Sequence, residues 1–270
     1  MIIILRGHIR QSFQDELLYD FIKHICLHYD NVEIYIHTWN IVQSEISWRE
    51  IETIHSGVNE QTINMYFKDM SIFIKKILIE DDTNIKLNGN VKELIPGTKA
   101  PIIGWKNYWY GKYQIMKYIK ENVKENVKEN VKINDTTENK ETKFIINMRF
   151  DLFSNSHAFS SDKLFHFMNT YKKEELSENK FLNHDFFPGC DNFYLGNMDT
   201  MYKLIEYFHF HLDTIINKHG SINYQEALVM IENAVLFDSD KKITTNDIRN
   251  YEKKQRYNFN FMNYSLKKVS

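Results

Sequence analysis

The chain has few cysteines, few arginines and no long apolar run, and these shortages limit the classes of protein to which it can belong. Two cysteines among 270 residues, Cys26 and Cys190, are too few for a disulfide framework, so we expect a reducing, cytoplasmic compartment. The N-terminal apolar run, Ile2–Leu5, is shorter than the apolar part of a signal peptide. No apolar run approaches the ~20 residues of a membrane-spanning helix, so no membrane span is expected.

Charge and motif content exclude two further classes. The formal net charge is -2, so bulk charge does not attract nucleic acid. The chain has no G-x-G-x-x-G motif, so it carries no dinucleotide fingerprint. A chain of 270 residues can bury one substantial core, and we predict a single domain over 1–270 with a charged insertion at about 120–143.

Strand and helix patterns alternate along the chain. This alternation predicts an α/β fold, an open sheet with helices on both faces. Ser12 and Asn197 are expected to begin two of the helices as N-caps, and Gly220 is expected to end the second of them. The apolar periodicity predicts strands at 2–5, 32–37, 74–79, 144–151 and 193–195, and helices at 13–28, 60–73, 106–120, 161–171, 198–218 and 224–235.

A tandem repeat of four residues, Lys-Glu-Asn-Val, fills residues 120–132. At period four, Glu and Lys stay adjacent on a helix, so the repeat predicts a solvated extension of the helix before it. Residues 134–143 are polar and are expected to be loose. We interpret the insertion as an expanded, tolerated loop, with a partner-binding arm as the alternative.

The first candidate site lies at the end of the predicted strand 144–151. Arg149 and Asp151 are two positions apart, and such residues point to the same face of a strand. In open α/β sheets, ligands bind at the carboxyl ends of the strands. A phosphate prefers arginine, and a hard metal ion prefers carboxylate oxygens. The alternative is a local ion pair at a strand end.

The N-terminus carries the second candidate site. The apolar run 2–5 is followed by Arg6, Gly7, His8 and Arg10, and then by a helix. Strand, glycine turn and helix form the layout that presents backbone N–H groups to a phosphate. The chain has only six arginines, and three of them are Arg6, Arg10 and Arg149. The alternative is that the first two are ordinary surface charges.

Four segments resemble a group of GT-A-type, nucleotide-sugar-dependent glycosyltransferases found in bacteria and in large DNA viruses of protists. The first, Ile-Leu-Arg-Gly-His-Ile-Arg at 4–10, resembles the opening strand and turn of that group. The others are Val-Glu-Ile-Tyr-Ile-His-Thr-Trp at 32–39, Asn-Met-Arg-Phe-Asp at 147–151, and Asp-Asn-Phe-Tyr-Leu-Gly-Asn-Met-Asp-Thr-Met at 191–201. Their order and spacing carry the resemblance, which reaches from the N-terminus to about residue 235.

The resemblance implies a GT-A fold and a donor site. It places the strand end His37-Thr38-Trp39 near the nucleotide, and it implies that the segment at 147–151 stands in for a D-x-D motif. Asp151 would then contact Mn²⁺ or Mg²⁺. Arg149 would contact the diphosphate or orient Asp151. A buried, hydrogen-bonded histidine is the alternative for His37.

Further candidates follow for phosphate and acceptor. Lys112, or Lys106 near it, could contact phosphate before the insertion. The resemblance places acceptor chemistry around Asp191, which makes it the leading candidate for the base, followed by Asp185. Glu226 is a third candidate, although Asn-Tyr-Gln-Glu at 223–226 also fits a helix capping box. A residue that only caps its turn is the alternative for Asp191.

These observations lead to one functional hypothesis and two rivals. The hypothesis is a glycosyltransferase that moves a sugar from a nucleoside diphosphate sugar to a hydroxyl of a glycan or glycoprotein, in the host cytoplasm if the source is viral. The first rival is a non-catalytic nucleotide- or glycan-binding protein on the same fold. The second is a nucleotidyltransferase, which would also need carboxylates, a metal ion and a basic nucleotide loop.

Overall fold

A computed structural model describes residues 1–46, 51–130, 144–155, 159–171, 176–182, 192–220, 222 and 225–237, with only the backbone given for 123–130 and 155. The strands are β1 Ile2–Arg6, β2 Glu33–Trp39, β3 Ile41–Gln43, β4 Ile54–Gly57, β5 Ile74–Glu80, β6 Ile145–Arg149, β7 Lys180–Phe181 and β8 Phe193–Gly196. The helices are α1 Leu17–His28, α2 Glu60–Phe67, α3 Ile102–Asn130, α4 Leu152–Asn155, α5 Ser161–Tyr171, α6 Met198–Lys218 and α7 Gln225–Phe237, with a 3₁₀ segment at Lys68–Phe73.

The central sheet has six strands in the order β5-β2-β1-β6-β8-β7. Strands β5, β2, β1 and β6 are parallel, and β8 pairs antiparallel with both β6 and β7. The chain proceeds outward from β1 to β2 and β5, and then returns to place β6 on the other side of β1. The strand order therefore reverses between β1 and β6, and the carboxyl ends of these two strands flank the switch point.

Both faces of the sheet are covered, which explains why β1 begins with four apolar residues in a row. All five residues of β1 are buried. Ile3 and Leu5 belong to an apolar layer that includes residues of α1, α2 and α5, whereas Ile2 and Ile4 belong to a layer that includes residues of α3, α6 and α7. The predicted α/β sheet with helices on both faces is confirmed at this level.

Helices α3 and α6 pack together on the second face and reach the carboxyl edge of the sheet. Trp109 of α3 is fully buried and stacks on Phe208 of α6, with ring centroids 4.3 Å apart. The predicted cap of α6 is confirmed, because the Asn197 side chain accepts from the Thr200 backbone N–H and the Thr200 hydroxyl accepts in return from the Asn197 N–H. This cap fixes the point at which α6 begins.

Several predicted bounds were wrong by a few residues. Helix α1 begins at Leu17 rather than 13, because Ser12 lies in a turn and donates to the Ile9 carbonyl instead of capping a helix. The helix expected over 60–73 ends at Phe67 and continues as the 3₁₀ segment. The short antiparallel pair of β3 and β4 was not predicted. The repeat does extend the preceding helix, as far as Asn130.

No helix in the described part of the chain has both the length and the apolar character needed to cross a membrane.

Candidate active site

Three of the predicted site residues lie at or near the carboxyl ends of neighbouring strands, at one edge of the sheet. Arg6 of β1 is in register with His37 of β2 on one side and with Arg149 of β6 on the other. Because the three strands are parallel, their carboxyl ends meet at the same edge. Two arginines therefore flank the switch point of the sheet.

Asp151 lies just beyond β6 and is held by two arginines. Arg149 binds it in a bidentate pair, with Nε donating to Oδ1 and Nη2 to Oδ2, each at 2.6 Å. Arg10 Nη1 also donates to Oδ2, at 2.6 Å. Asp151 is buried, while the side chains of Arg10 and Arg149 retain 16% and 22% exposure. The same-face prediction for Arg149 and Asp151 is consistent with this pair, and Arg10 completes a clamp.

The turn after β1 positions Arg10 for this clamp. Gly7 has φ of 90°, a conformation that favours glycine, and its N–H donates to the His37 carbonyl. The Thr38 hydroxyl donates to the Gly7 carbonyl at 2.9 Å, which ties the turn to β2. Arg10 has φ of 53°, which is uncommon for a residue with a side chain, and its N–H donates to the Val42 carbonyl. A strained backbone at this point indicates that the surroundings fix the guanidinium.

His8 lies between the charged groups of the edge. Burial, with a smaller effect of Arg10, lowers the pKa of His8 to about 3, while Asp151 opposes the shift. The imidazole is therefore neutral near pH 7. Its Nε2 lies 3.8 Å from an Asp82 oxygen, which is too long for a hydrogen bond. Burial raises the pKa of Asp82, which ends the acidic run after β5.

His37 is fixed in orientation by a carboxylate and by aromatic rings. Its Nε2 lies 2.8 Å from Glu80 Oε2, and the Tyr110 hydroxyl donates to the other Glu80 oxygen at 2.8 Å. Burial raises the pKa of Glu80, but the hydrogen bonds from His37 and Tyr110 outweigh it and lower the pKa. The ring of Trp39 meets His37 edge-on at 4.9 Å. Gly111 of α3 allows the helix to approach this imidazole closely.

Two buried cations lie against aromatic rings beside the edge. The Arg6 guanidinium lies 4.3 Å from the centroid of Tyr108, and Lys112 Nζ lies 3.8 Å from the same centroid. Lys112 Nζ also lies 4.0 Å from the ring of Trp109 and 4.8 Å from that of Tyr194. The crevice between β1, β2 and α3 here has a volume of about 20 Å³, which holds about one water molecule. A ligand larger than a water molecule does not fit inside it.

The structure brings ten predicted site residues to this edge: Arg6, Gly7, His8, Arg10, His37, Thr38, Trp39, Lys112, Arg149 and Asp151. Glu226 lies in the first turn of α7. Asp185 and Asp191 lie outside the described residues, as does the only literal D-x-D of the chain, at 238–240.

The donor atoms at Asp151 do not form a ready metal site in this arrangement. Both carboxylate oxygens accept hydrogen bonds from arginine. Among the residues that the structure describes, no group of three or more His, Cys, Asp or Glu side chains gathers around a point. A metal contact at Asp151 would require Arg10 and Arg149 to release it, and the contact stays a prediction.

Sequence reasoning missed several residues of the edge. The ring of Tyr108 lies against the cations of Arg6 and Lys112. Glu80 lies beside His37, and Asp82 lies beside His8. Asn147 accepts from Arg6 Nε at 2.9 Å and fixes that side chain. The acidic run Glu-Asp-Asp at 80–82 directly follows the predicted strand 74–79, and an acidic run at a strand end was the available signal. Tyr108 and Asn147 offered none, because buried aromatics and amides are common.

Comparison with known proteins identifies no family: no protein-family model matches the chain, and no curated protein matches it significantly.

Proposed function

We propose that this protein is a glycosyltransferase of the GT-A type, which transfers a sugar from a nucleoside diphosphate sugar to a hydroxyl of a glycan or glycoprotein. The observation that carries the proposal is the arginine-rich carboxyl edge. Arg6, Arg10 and Arg149 gather around the end of β6, where one carboxylate, Asp151, binds two of them. Such an edge suits an anion at the switch point of an open sheet.

A diphosphate is the anion that suits this arrangement best. Guanidinium groups bind phosphate oxygens through pairs of N–H donors in a fixed geometry. Arg10 and Arg149 are partly exposed, and the crevice beside Arg6 is too small for a nucleotide, so the diphosphate would rest on the edge of the sheet rather than inside the crevice. Neutral His8 between them can hydrogen-bond a phosphate oxygen without adding charge.

The proposed transfer breaks the bond between the anomeric carbon and the diphosphate. The acceptor oxygen forms the new bond to that carbon, and the nucleoside diphosphate leaves with the electron pair. Arginine at the edge would stabilise the charge that develops on the leaving group. If configuration inverts, the acceptor proton passes to a carboxylate, for which Asp191, Asp185 and Glu226 stay the candidates.

We derive no step through a metal ion, because arginine satisfies the carboxylate predicted to bind one. The predicted Mn²⁺ or Mg²⁺ enters as a variable of the experiment. The test is a thermal-shift screen of nucleoside diphosphate sugars, each with and without Mn²⁺, followed by assay of donor consumption. We expect at least one donor to raise the melting temperature and to be hydrolysed slowly. If no donor binds, the proposal fails, and a donor that binds but stays intact supports the non-catalytic rival.

A pair of variants ties donor binding to the edge. Arg10→Gln removes a cation of the clamp, and we expect it to weaken donor binding by roughly 10- to 100-fold, because a hydrogen bond to a charged group contributes about 1.5–3 kcal/mol. Lys117→Gln is the control, since Lys117 is exposed on α3 and its nearest carboxylate is 4.0 Å away. Equal donor affinity in the two variants would remove Arg10 from the site.

A further inference from the structure

His8 and Asp82 lie side by side at the carboxyl edge of the sheet without a hydrogen bond between them. His8 follows β1 and Asp82 follows β5, on either side of β2, and the Trp39 ring at the end of β2 lies 6.0 Å from the His8 ring. His8 Nε2 and Asp82 Oδ2 are 3.8 Å apart. Both atoms are shielded from solvent, and neither makes a hydrogen bond to any residue that the structure describes. Two buried polar atoms are thus left unsatisfied beside each other.

The imidazole is accessible on its other side. The side chain of Asp82 is 2% exposed, whereas that of His8 keeps 14%. Because Nε2 is shielded, this exposure belongs to other atoms of the His8 side chain. A ligand at the edge therefore meets His8 and has no need to reach Asp82. Nδ1 is the second nitrogen of the ring, and it is the atom through which His8 can hydrogen-bond such a ligand.

The carboxylate beside Nε2 selects one tautomer of His8. A lone pair on Nε2 would repel the ionised Asp82 carboxylate, so the single proton of the neutral imidazole lies on Nε2. Nδ1 is then a hydrogen-bond acceptor. The oxygens of a bound diphosphate are acceptors too, so this tautomer cannot hydrogen-bond them. A proton has to be added before His8 and a phosphate oxygen can form a hydrogen bond.

The charges around His8 disfavour a second proton on its ring. Burial is the main cause of the low pKa of His8, and the Arg10 charge lowers it as well. Arg149 and His37 act in the same direction, and Asp151 opposes them. The imidazole is therefore a poor place for an added proton.

Asp82 is the better place for the added proton. Burial raises the pKa of Asp82, and the charge of Asp81 raises it too, while a hydrogen bond from Ser44 lowers it. The net shift is upward, so the Asp82 carboxylate is the easier of the two groups to protonate. A diphosphate brings further negative charge to the same edge, which favours loss of the charge on Asp82.

We propose that His8 and Asp82 form a proton-linked pair that takes up one proton when a diphosphate binds at the arginine-rich edge. The Nε2 proton of His8 passes to Asp82 Oδ2, a proton from solvent binds Nδ1, and Nδ1–H donates to a phosphate oxygen. The Asp82 O–H then donates to Nε2, after the two atoms approach by about 1 Å. Both buried atoms are satisfied and His8 stays neutral. The inference rests on the proposed function and adds the regulation of its donor site, since acid favours donor binding.

The first test determines the tautomer of His8 in the chain without a ligand. ¹⁵N NMR of histidine-labelled protein at pH 8 distinguishes a proton on Nε2 from one on Nδ1, and the His8 signal is the one absent from His8→Gln. We expect the proton on Nε2 in the wild type and on Nδ1 in Asp82→Asn. The reason is that Ser44 donates to the carboxylate oxygen of Asp82 that faces away from His8, so the asparagine amide would turn its N–H toward Nε2.

Asp81→Asn is the matched control for this variant. It makes the same change one residue earlier, at a carboxylate that accepts from Thr83 and Asn84 in its own turn. The tautomer of His8 should stay as in the wild type. A proton on Nδ1 in the wild type, or the same tautomer in the wild type and Asp82→Asn, overturns the proposal whether or not any donor binds.

The second test counts the protons taken up when a nucleoside diphosphate sugar binds. The probes are UDP-glucose, UDP-galactose, UDP-N-acetylglucosamine, GDP-mannose, GDP-fucose and dTDP-rhamnose, titrated by calorimetry at pH 6.5 in buffers of different ionisation enthalpy. None of these probes carries a phosphate monoester, the form that titrates near pH 6, so the count reports on the protein. We expect about one proton for the wild type and Asp81→Asn, and about none for Asp82→Asn and His8→Gln. Donor affinity should fall by up to about tenfold from pH 6 to pH 7 in the wild type and stay constant in Asp82→Asn.

The two tests separate failure of the pair from failure of the donor site. A donor that binds without proton uptake, or with an uptake that Asp82→Asn retains, overturns the proton-linked pair and leaves the donor site in place. A chain that shows the expected tautomers and binds none of the probes refutes the donor site and, with it, the uptake linked to a diphosphate. The proton count of the wild type needs no variant, so poor folding of Asp82→Asn would not protect the proposal.

Discussion

Alanine substitutions at two glycines of α3 should have opposite effects on stability. Gly104 and Gly111 both lie inside the helix, where alanine is ordinarily favoured over glycine by about 1 kcal/mol. Helix propensity alone therefore predicts that both substitutions stabilise the fold. The surroundings of the two positions differ, and the difference decides the sign at Gly111.

A Cβ atom at Gly111 would lie 2.5 Å from Cε1 and Nδ1 of His37 and 3.3 Å from its Cγ. The imidazole has little freedom to retreat, because Glu80 holds its Nε2 and Trp39 packs against its ring. Helix α3 would have to shift away from β2. Overpacking of this kind costs about 1–3 kcal/mol, so we expect a net loss of up to about 2 kcal/mol for Gly111→Ala after the helix gain of about 1 kcal/mol is subtracted.

A Cβ atom at Gly104 would meet only the Ile46 carbonyl oxygen at 3.5 Å and Ile46 Cγ2 at 3.7 Å. These are ordinary van der Waals distances. Gly104→Ala should therefore keep its helix gain and stabilise by about 0.5–1 kcal/mol. It is the matched control for Gly111→Ala, with the same chemical change in the same helix.

The assay is urea denaturation followed by circular dichroism, with melting temperature as a second readout. A difference of about 2 kcal/mol between the two variants corresponds to roughly 4–8 °C in a domain of this size. In a His37→Ala background the clash is gone, and Gly111→Ala should then behave like Gly104→Ala. If Gly111→Ala stabilises the wild-type chain as much as Gly104→Ala does, the close approach of α3 to His37 is wrong.

Three other outcomes are expected. Asp151→Asn should abolish sugar transfer, and full activity in a turnover assay would refute the assignment of Asp151 to the donor site. The same variant should lower the free energy of unfolding by about 3 kcal/mol, because it leaves two arginines of a buried cluster without their negative partner. Replacement of 121–142 by a short Gly/Ser linker should change the melting temperature little, since long surface insertions cost little entropy; a large loss would show that the repeat packs on the fold. Burial raises the pKa of Glu232, but hydrogen bonds from His219 and Lys218 outweigh burial and bring the folded pKa below the usual 4.5. The stabilisation by these hydrogen bonds is therefore present above about pH 4.5 and is lost as the pH falls through the folded pKa. The gap in melting temperature between wild type and Glu232→Gln should narrow from pH 7 to pH 3, and a constant gap would contradict the ion pair.

The parallel strands were the easiest elements to predict from the sequence. A strand buried on both faces is rich in apolar residues, and the first four residues of β1 show this pattern directly. The pair β3 and β4 was missed for the opposite reason. Both strands are short, and β4 is exposed throughout, so neither has the apolar pattern that marks a strand.

The start of α1 could not be predicted from periodicity. Residues 13–16 continue a helical pattern, with Phe13 packed on the same apolar layer as the helix. The backbone before Leu17 is nevertheless in turns, because Arg10 adopts a left-handed conformation and Ser12 bonds back to Ile9. Tertiary contacts of Arg10 with Asp151, 141 residues away, set this conformation, and local sequence does not contain them.

The candidate site also has a part that local sequence predicts and a part that depends on contacts between distant residues. The spacing of Arg149 and Asp151 predicted that the two side chains lie together, and they do, although β6 ends at Arg149 and Asp151 lies in the turn after it. The ion pair of Lys106, a candidate phosphate contact, with Asp213 could not be predicted, because an aspartate on a helix reads as a solvated charge. Lys106 is 107 positions earlier in the chain than Asp213, and the packing of α3 against α6 joins them.

The aromatic segment at 105–113 of α3 lies beside the carboxyl edge of the sheet. Trp109 of this segment packs in the core against Phe208. Tyr108, one residue earlier, serves a different purpose, since its ring lies beside both Arg6 and Lys112. An aromatic face attracts a buried cation through its quadrupole. The ring of Tyr108 therefore helps to hold two buried cations beside the carboxyl edge of the sheet.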